Sequence, residues 1–132
     1  MVYSFWFLVM KSNSYKDLRV WQKGLDLVIE AYNLTEKFPQ TEIYGLTSQM
    51  RRAAVAVPSN IAEGQKRGHQ KEFLRFLYIA YSSGAELETQ IEICKRLPKL
   101  KNLDYTNFEL LLQETMKMLN VLISTLKIPA KN

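Results

Sequence analysis

Residues 73–94 read FLRFLYIAYSSGAELETQIEIC, and their spacing decides the fold. Phe73, Leu77, Ala80, Gly84, Leu87, Ile91 and Cys94 fall in alternating steps of four and three, the interval that places side chains on one face of an α-helix. The stretch therefore predicts a long amphipathic helix with one buried stripe, stopped by Pro98. Gly84 lies within that stripe. A glycine costs about 1 kcal/mol relative to alanine in a helix interior, so its place on the buried face predicts a crossing too close for a side chain.

The same period recurs on both sides. Leu18, Trp21, Leu25, Val28 and Tyr32 predict a first helix from Asp17 to near Lys37, halted at Phe38-Pro39. Ile43, Leu46, Met50, Ala53, Ala54, Val57 and Ile61 predict a second. Pro58 interrupts that stripe, which continues beyond it, so a kink is expected rather than a break. Gly64 is expected to end this helix and Gly68 to mark the following turn. Asp104 is placed to cap a fourth helix carrying Phe108, Leu111, Leu112, Thr115, Leu119, Leu122 and Leu126, before Pro129. Four amphipathic helices joined by short loops predict an all-α, antiparallel, up-down-up-down four-helix bundle over residues 15–128, with a tail at 129–132.

At 132 residues the chain suits one core. The apolar opening, MVYSFWFLVM, is too short to span a bilayer and lacks the basic flank and cleavage site of a signal peptide. Residues 1–14 read as an upstream start or an extension packing on the bundle or a neighbouring subunit, with a membrane anchor the lesser alternative. Cys94, the one cysteine, falls on an apolar helix face and reads as a buried, inert thiol, which suits a reducing cytoplasm.

Catalytic chemistry finds no foothold in the sequence. His69 is the single histidine and lies in a turn among basic residues. A metal site needs several ligands, and no Glu-x-x-His pair, phosphate loop, nucleophile elbow or zinc spacing occurs. No cofactor, metal or enzymatic activity is expected. Glu86, Glu88 and Glu92 read as a solvated face, with Glu88 near the edge of the apolar stripe and placed to pair with Arg51.

Charge clusters more than it balances. Arg51, Arg52, Lys66, Arg67, Lys71 and Arg75 face only Glu63 and Glu72 between residues 51 and 75, a net +4. Lys95, Arg96, Lys99 and Lys101 form a second basic group with no acid among residues 95–103. Such surfaces attract phosphate without reading sequence, although a net +5 over the chain also fits plain solubilisation. On the outer side of the second helix Ser48, Arg52, Val55 and Ser59 mix small residues with an exposed valine, which reads as a subunit contact or an ordinary exposed face.

Certain runs carry a family resemblance. Tyr15-Lys16-Asp17-Leu18 with Trp21-Gln22-Lys23, Arg52-Ala53-Ala54-Val55, Phe73-Leu74-Arg75-Phe76-Leu77 and Glu86-Leu87-Glu88-Thr89-Gln90 belong to them. The most specific is Val57-Pro58-Ser59-Asn60-Ile61-Ala62-Glu63-Gly64. From about Tyr15 to Leu126 the chain resembles the four-helix bundle proteins encoded in intervening sequences of bacterial 23S rRNA genes. The resemblance implies a left-handed bundle, a homopentameric barrel, no enzyme activity, and a role tied to nucleic acid. Asn60, Glu63 and Gly64 match the family signature, and with Pro58, Gly84 and Glu88, read from their helical positions, they are taken as structural or oligomer positions; on physical grounds Asn60 and Glu63 are expected to bond across helices or subunits. Two functions follow as expectations: an oligomer binding RNA or DNA through Arg51, Arg52, Lys66, Arg67, Lys71, Arg75, Lys95 and Arg96, or a scaffold docking a nucleic-acid-processing protein partner. Neither involves a membrane.

Overall fold

A computed structural model describes residues 14–127, in which four α-helices form one antiparallel bundle. They are α1 (Arg19–Thr35), α2 (Leu46–Lys66), α3 (Gln70–Cys94) and α4 (Thr106–Lys127). Single 3-10 turns at Tyr15–Asp17 and Gln40–Glu42 precede α1 and α2. Each helix packs on the two beside it in a closed square, α2 against α3 most extensively. At 1.5 Å per residue α3 is about 38 Å long, which sets the height of the bundle. Residues 1–13 of the proposed extension and the whole tail at 129–132 lie outside the described residues.

All seven residues of the α3 stripe are buried. In α4 Phe108, Leu112, Thr115, Leu119, Leu122 and Leu126 are buried with Met116 and Ile123, while Leu111 is half-buried. Gly84 does what its position predicted. A Cβ there would overlap the Met116 sulfur, so α3 and α4 meet over a missing side chain. Asp104 accepts a hydrogen bond from the Thr106 amide at 2.9 Å and so caps α4. Cys94 is fully buried beside Met50, and burial pushes its thiol up, away from the reactive thiolate.

Helix α1 differs from its sequence reading. Its inward face is Val20, Gly24, Leu27, Ala31 and Leu34, whereas Leu25 and Tyr32 are each 40% exposed. A small residue is needed at position 24 because α1 lies close to α2 there: a Cβ on Gly24 would sit 3.2 Å from the Pro58 Cβ. Of the larger stripe, Trp21 and Val28 are half-buried against the edge of the core, while Leu25 and Tyr32 are turned toward the outside of the bundle.

Helix α2 starts at Leu46, leaving Ile43 exposed before it, and runs through Pro58 to Lys66. Gly64 is therefore not its terminator. That role falls to Gly68, whose φ of 76° reverses the chain before α3. Gly64 is instead a contact: a Cβ on it would stand 2.5 Å from the Phe76 Cβ and 3.1 Å from the Phe73 ring. Asn60 does not bond across helices through its Nδ2, which donates to the Ala56 carbonyl of its own helix at 2.7 Å. Glu63 is exposed and makes no ion pair among the described residues.

Candidate functional site

The expected basic patch resolves into three places. Arg51 and Arg52 lie about 22 Å along α2 from Lys66, so they do not join the residues that follow the helix. Arg51 is half-buried, its Nε donating to the Thr35 hydroxyl at 2.8 Å and its guanidinium stacked 4.3 Å from the centre of the Tyr32 ring. The anticipated Glu88–Arg51 pair is absent: Glu88 is exposed toward α4, beside Glu92 and Glu109. Arg52 pairs with Glu86 at 2.7 Å, and Glu86 also accepts from Gln90 Nε2 at 3.2 Å. Along this stretch Arg52 is ion-paired, whereas Arg51 is held by a hydroxyl and an aromatic ring.

The end formed by the α3–α4 loop is also neutral. Lys95 pairs with Glu109 at 2.7 Å and Glu92 at 3.8 Å. The side chain and amide of Thr106 hold the Asp104 carboxyl below the ordinary carboxylate range, with Lys37 adding to the effect. Among the described residues at this end Lys37, Lys95, Arg96, Lys99 and Lys101 meet Glu36, Glu42, Glu92, Asp104 and Glu109, five cations against five acids. Sequence proximity hid this because three of the acids, Glu36, Glu42 and Glu109, belong to other segments.

The opposite end keeps its charge. Antiparallel packing brings the α2–α3 turn beside the start of α1 and the finish of α4, where Gln70 Nε2 donates to the Leu126 carbonyl at 2.9 Å. Among the described residues Lys16, Arg19, Lys66, Arg67, Lys71, Arg75 and Lys127 gather there against Asp17, Glu63 and Glu72, a net +4. Among the described residues Lys66 and Lys71 make no ion pair and are exposed. Arg67 and Arg75 both rest on the Phe76 ring, at 5.1 and 4.6 Å from its centre. Arg75 also forks onto Glu72, Nε to Oε2 at 2.9 Å and a terminal nitrogen to Oε1 at 3.4 Å. His69, in the turn as expected, is exposed.

A second surface runs along the outside of α1 and α2. One shallow groove is lined by Tyr15, Trp21, Leu25, Val28, Val55, Pro58, Ser59 and Ala62. Another, lined by Tyr32, Ile43, Thr47, Ser48, Arg51, Arg52 and Val55, continues it toward the neutral end. Ser48, Arg52, Val55 and Ser59 are all exposed, as their helical position predicted. Among the described residues no three His, Cys, Asp or Glu side chains are grouped to hold a metal, and no helix is long and apolar enough to cross a membrane.

These features define an antiparallel four-helix bundle with a basic end and an apolar outer groove. The chain belongs to the 23S rRNA-intervening sequence protein family, whose model matches residues 16–121. No curated protein matches it.

Proposed function

We propose that the chain is a non-enzymatic cytoplasmic accessory protein that assembles with its own copies and binds RNA or DNA through backbone phosphates at its basic end. The observation that carries this is the confinement of net charge: +4 at one end, none at the other. The family's name, with its reference to ribosomal RNA, agrees with a polyanionic partner. Phosphate-led binding is weakly sequence-specific, and it releases counterions. Four cations engaged on a duplex give a log-log salt slope of about −3.6 per subunit, deepening as copies add their ends.

Self-association is supported by the outer groove of α1 and α2, where Trp21, Leu25, Val28 and Val55 offer apolar surface among small residues. The number five comes from the family resemblance and is an expectation for mass measurement. The test is binding of labelled structured RNA and duplex DNA across a salt series, with mass taken in the same buffer. Reversing Lys66, Arg67 and Lys71 to Glu should abolish binding. Unchanged affinity in that variant would refute the assignment.

A protein-docking role has its own support at the neutral end. Tyr44 is 94% exposed there, with Leu97 and Leu110 also uncovered. That reading expects weak intrinsic nucleic-acid affinity and a stable complex with a nucleic-acid-processing enzyme.

A further inference from the structure

We infer that Arg67 and Arg75, seated together on the Phe76 ring, form a clamp for one phosphate group, and that Glu72 occupies this clamp in the free protein. The inference rests on the nucleic-acid reading above and names the site within it.

The clamp is built by packing. Gly64 lets α3 press its Phe76 onto α2, which leaves that residue 5% exposed and fixes it one turn below Arg67. Arg67 then reaches the ring from the end of α2, and Arg75 reaches it from α3. Their guanidinium carbons, at 5.1 and 4.6 Å from one point, stand no more than about 9.7 Å apart. Like charges gathered this way repel, and a shared anion relieves that repulsion.

Glu72 supplies the anion in the resting state. Its two oxygens take the Arg75 fork, and it lies close enough to Arg67 and His69 for both to favour its ionised form, after the Arg75 hydrogen bond. A carboxylate and a phosphate present the same two-oxygen edge to a guanidinium. Glu72 is therefore a built-in competitor: a phosphate entering the clamp must displace it. Lys66 and Lys71, exposed and without an ion pair among the described residues, attract the strand that carries that phosphate.

The test separates this local competition from general charge. Wild type, Glu72→Gln and Glu63→Gln are titrated with one single-stranded oligonucleotide, in 5′-phosphate and 5′-hydroxyl forms. Both substitutions remove one negative charge from the same end, yet only Glu72 bonds the clamp. E72Q should tighten binding roughly tenfold, the scale of a charge-assisted hydrogen bond. E63Q should gain about twofold at most, as exposed charge does. In E72Q, exchanging Arg75 for Lys keeps the charge and loses the fork, so most of the gain should disappear.

A gain confined to the 5′-phosphate form assigns the clamp to a terminal phosphate, and an equal gain in both forms assigns it to the phosphodiester backbone. Equal effects of E72Q and E63Q, or a gain that survives R75K, would overturn the clamp while leaving nucleic-acid binding intact. No binding by wild type or any variant would overturn both.

Discussion

Replacing Gly64 by alanine tests the packing account most directly, because two effects of opposite sign compete there. In an exposed helix the change would stabilise by about 1 kcal/mol. Here the new methyl would lie 2.5 Å from the Phe76 Cβ and 3.1 Å from the Phe73 ring. Carbon atoms settle at about 3.5 to 4.0 Å, so α2 and α3 must part by roughly 1 Å or Phe76 must leave its seat. A Cβ cannot swing aside as a side-chain tip can. Overpacking at the upper end of the usual range costs about 3 kcal/mol, which leaves a net loss of about 2 kcal/mol after the helix gain. Urea unfolding followed by far-ultraviolet circular dichroism should show the midpoint falling by about 1 M, for a slope near 2 kcal/mol/M. A G64A protein as stable as wild type, or more so, would refute the close approach of α2 and α3 at this point.

Other expectations follow from individual contacts. Arg52→Ala should change stability by less than about 1 kcal/mol, because its pair with Glu86 is exposed, and should leave nucleic-acid affinity nearly unchanged in the same titrations. Tyr105→Phe removes a buried hydroxyl that donates to the Leu100 carbonyl at 2.6 Å, and should lower unfolding free energy by about 1 to 2 kcal/mol in urea titrations. Burial raises both the Tyr105 phenol and the Cys94 thiol above their unfolded values. The native state then holds protons that the unfolded chain releases, so a pH series of melting temperatures should fall as pH climbs above about 9. Asp104→Ala should lower the melting temperature while Asp104→Asn largely keeps it, since asparagine can still accept from the Thr106 amide.

Legibility in the sequence depended on whether an element had one apolar stripe or two. Helices α3 and α4 each carry a dominant stripe, so period alone placed their buried residues. Helix α1 carries two. The one with the larger residues, Trp21, Leu25, Val28 and Tyr32, resembled a core face, while the true inward face was disguised by Gly24 and Ala31. Gly24 is small because α2 comes so close there, a reason that lies in the partner helix.

Glycines posed a similar problem. Gly84 was readable because it interrupts a long clear stripe. Gly64 and Gly68 sit four residues apart at a helix end, and only the positive φ of Gly68 shows which one reverses the chain. The basic residues were legible as types but not as a surface. Arg51 and Arg75 are neighbours in a charge count and lie toward opposite ends of the bundle, and the acids that neutralise the Lys95 group come from remote segments. The seating of two arginines on Phe76 depends on the helix crossing at Gly64, which no spacing in either helix reveals.

The lopsided charge also makes the subunit an electric dipole lying along the bundle. Copies arranged side by side with the same polarity stack these dipoles in parallel and crowd their positive poles onto one rim, which opposes closure of a ring. Salt weakens that opposition within a screening length of about 8 Å at physiological ionic strength. On the proposed reading, a polyanion laid across such a rim would remove it more effectively, and binding and assembly would be thermodynamically linked: a ligand gripped by many copies would also hold them together.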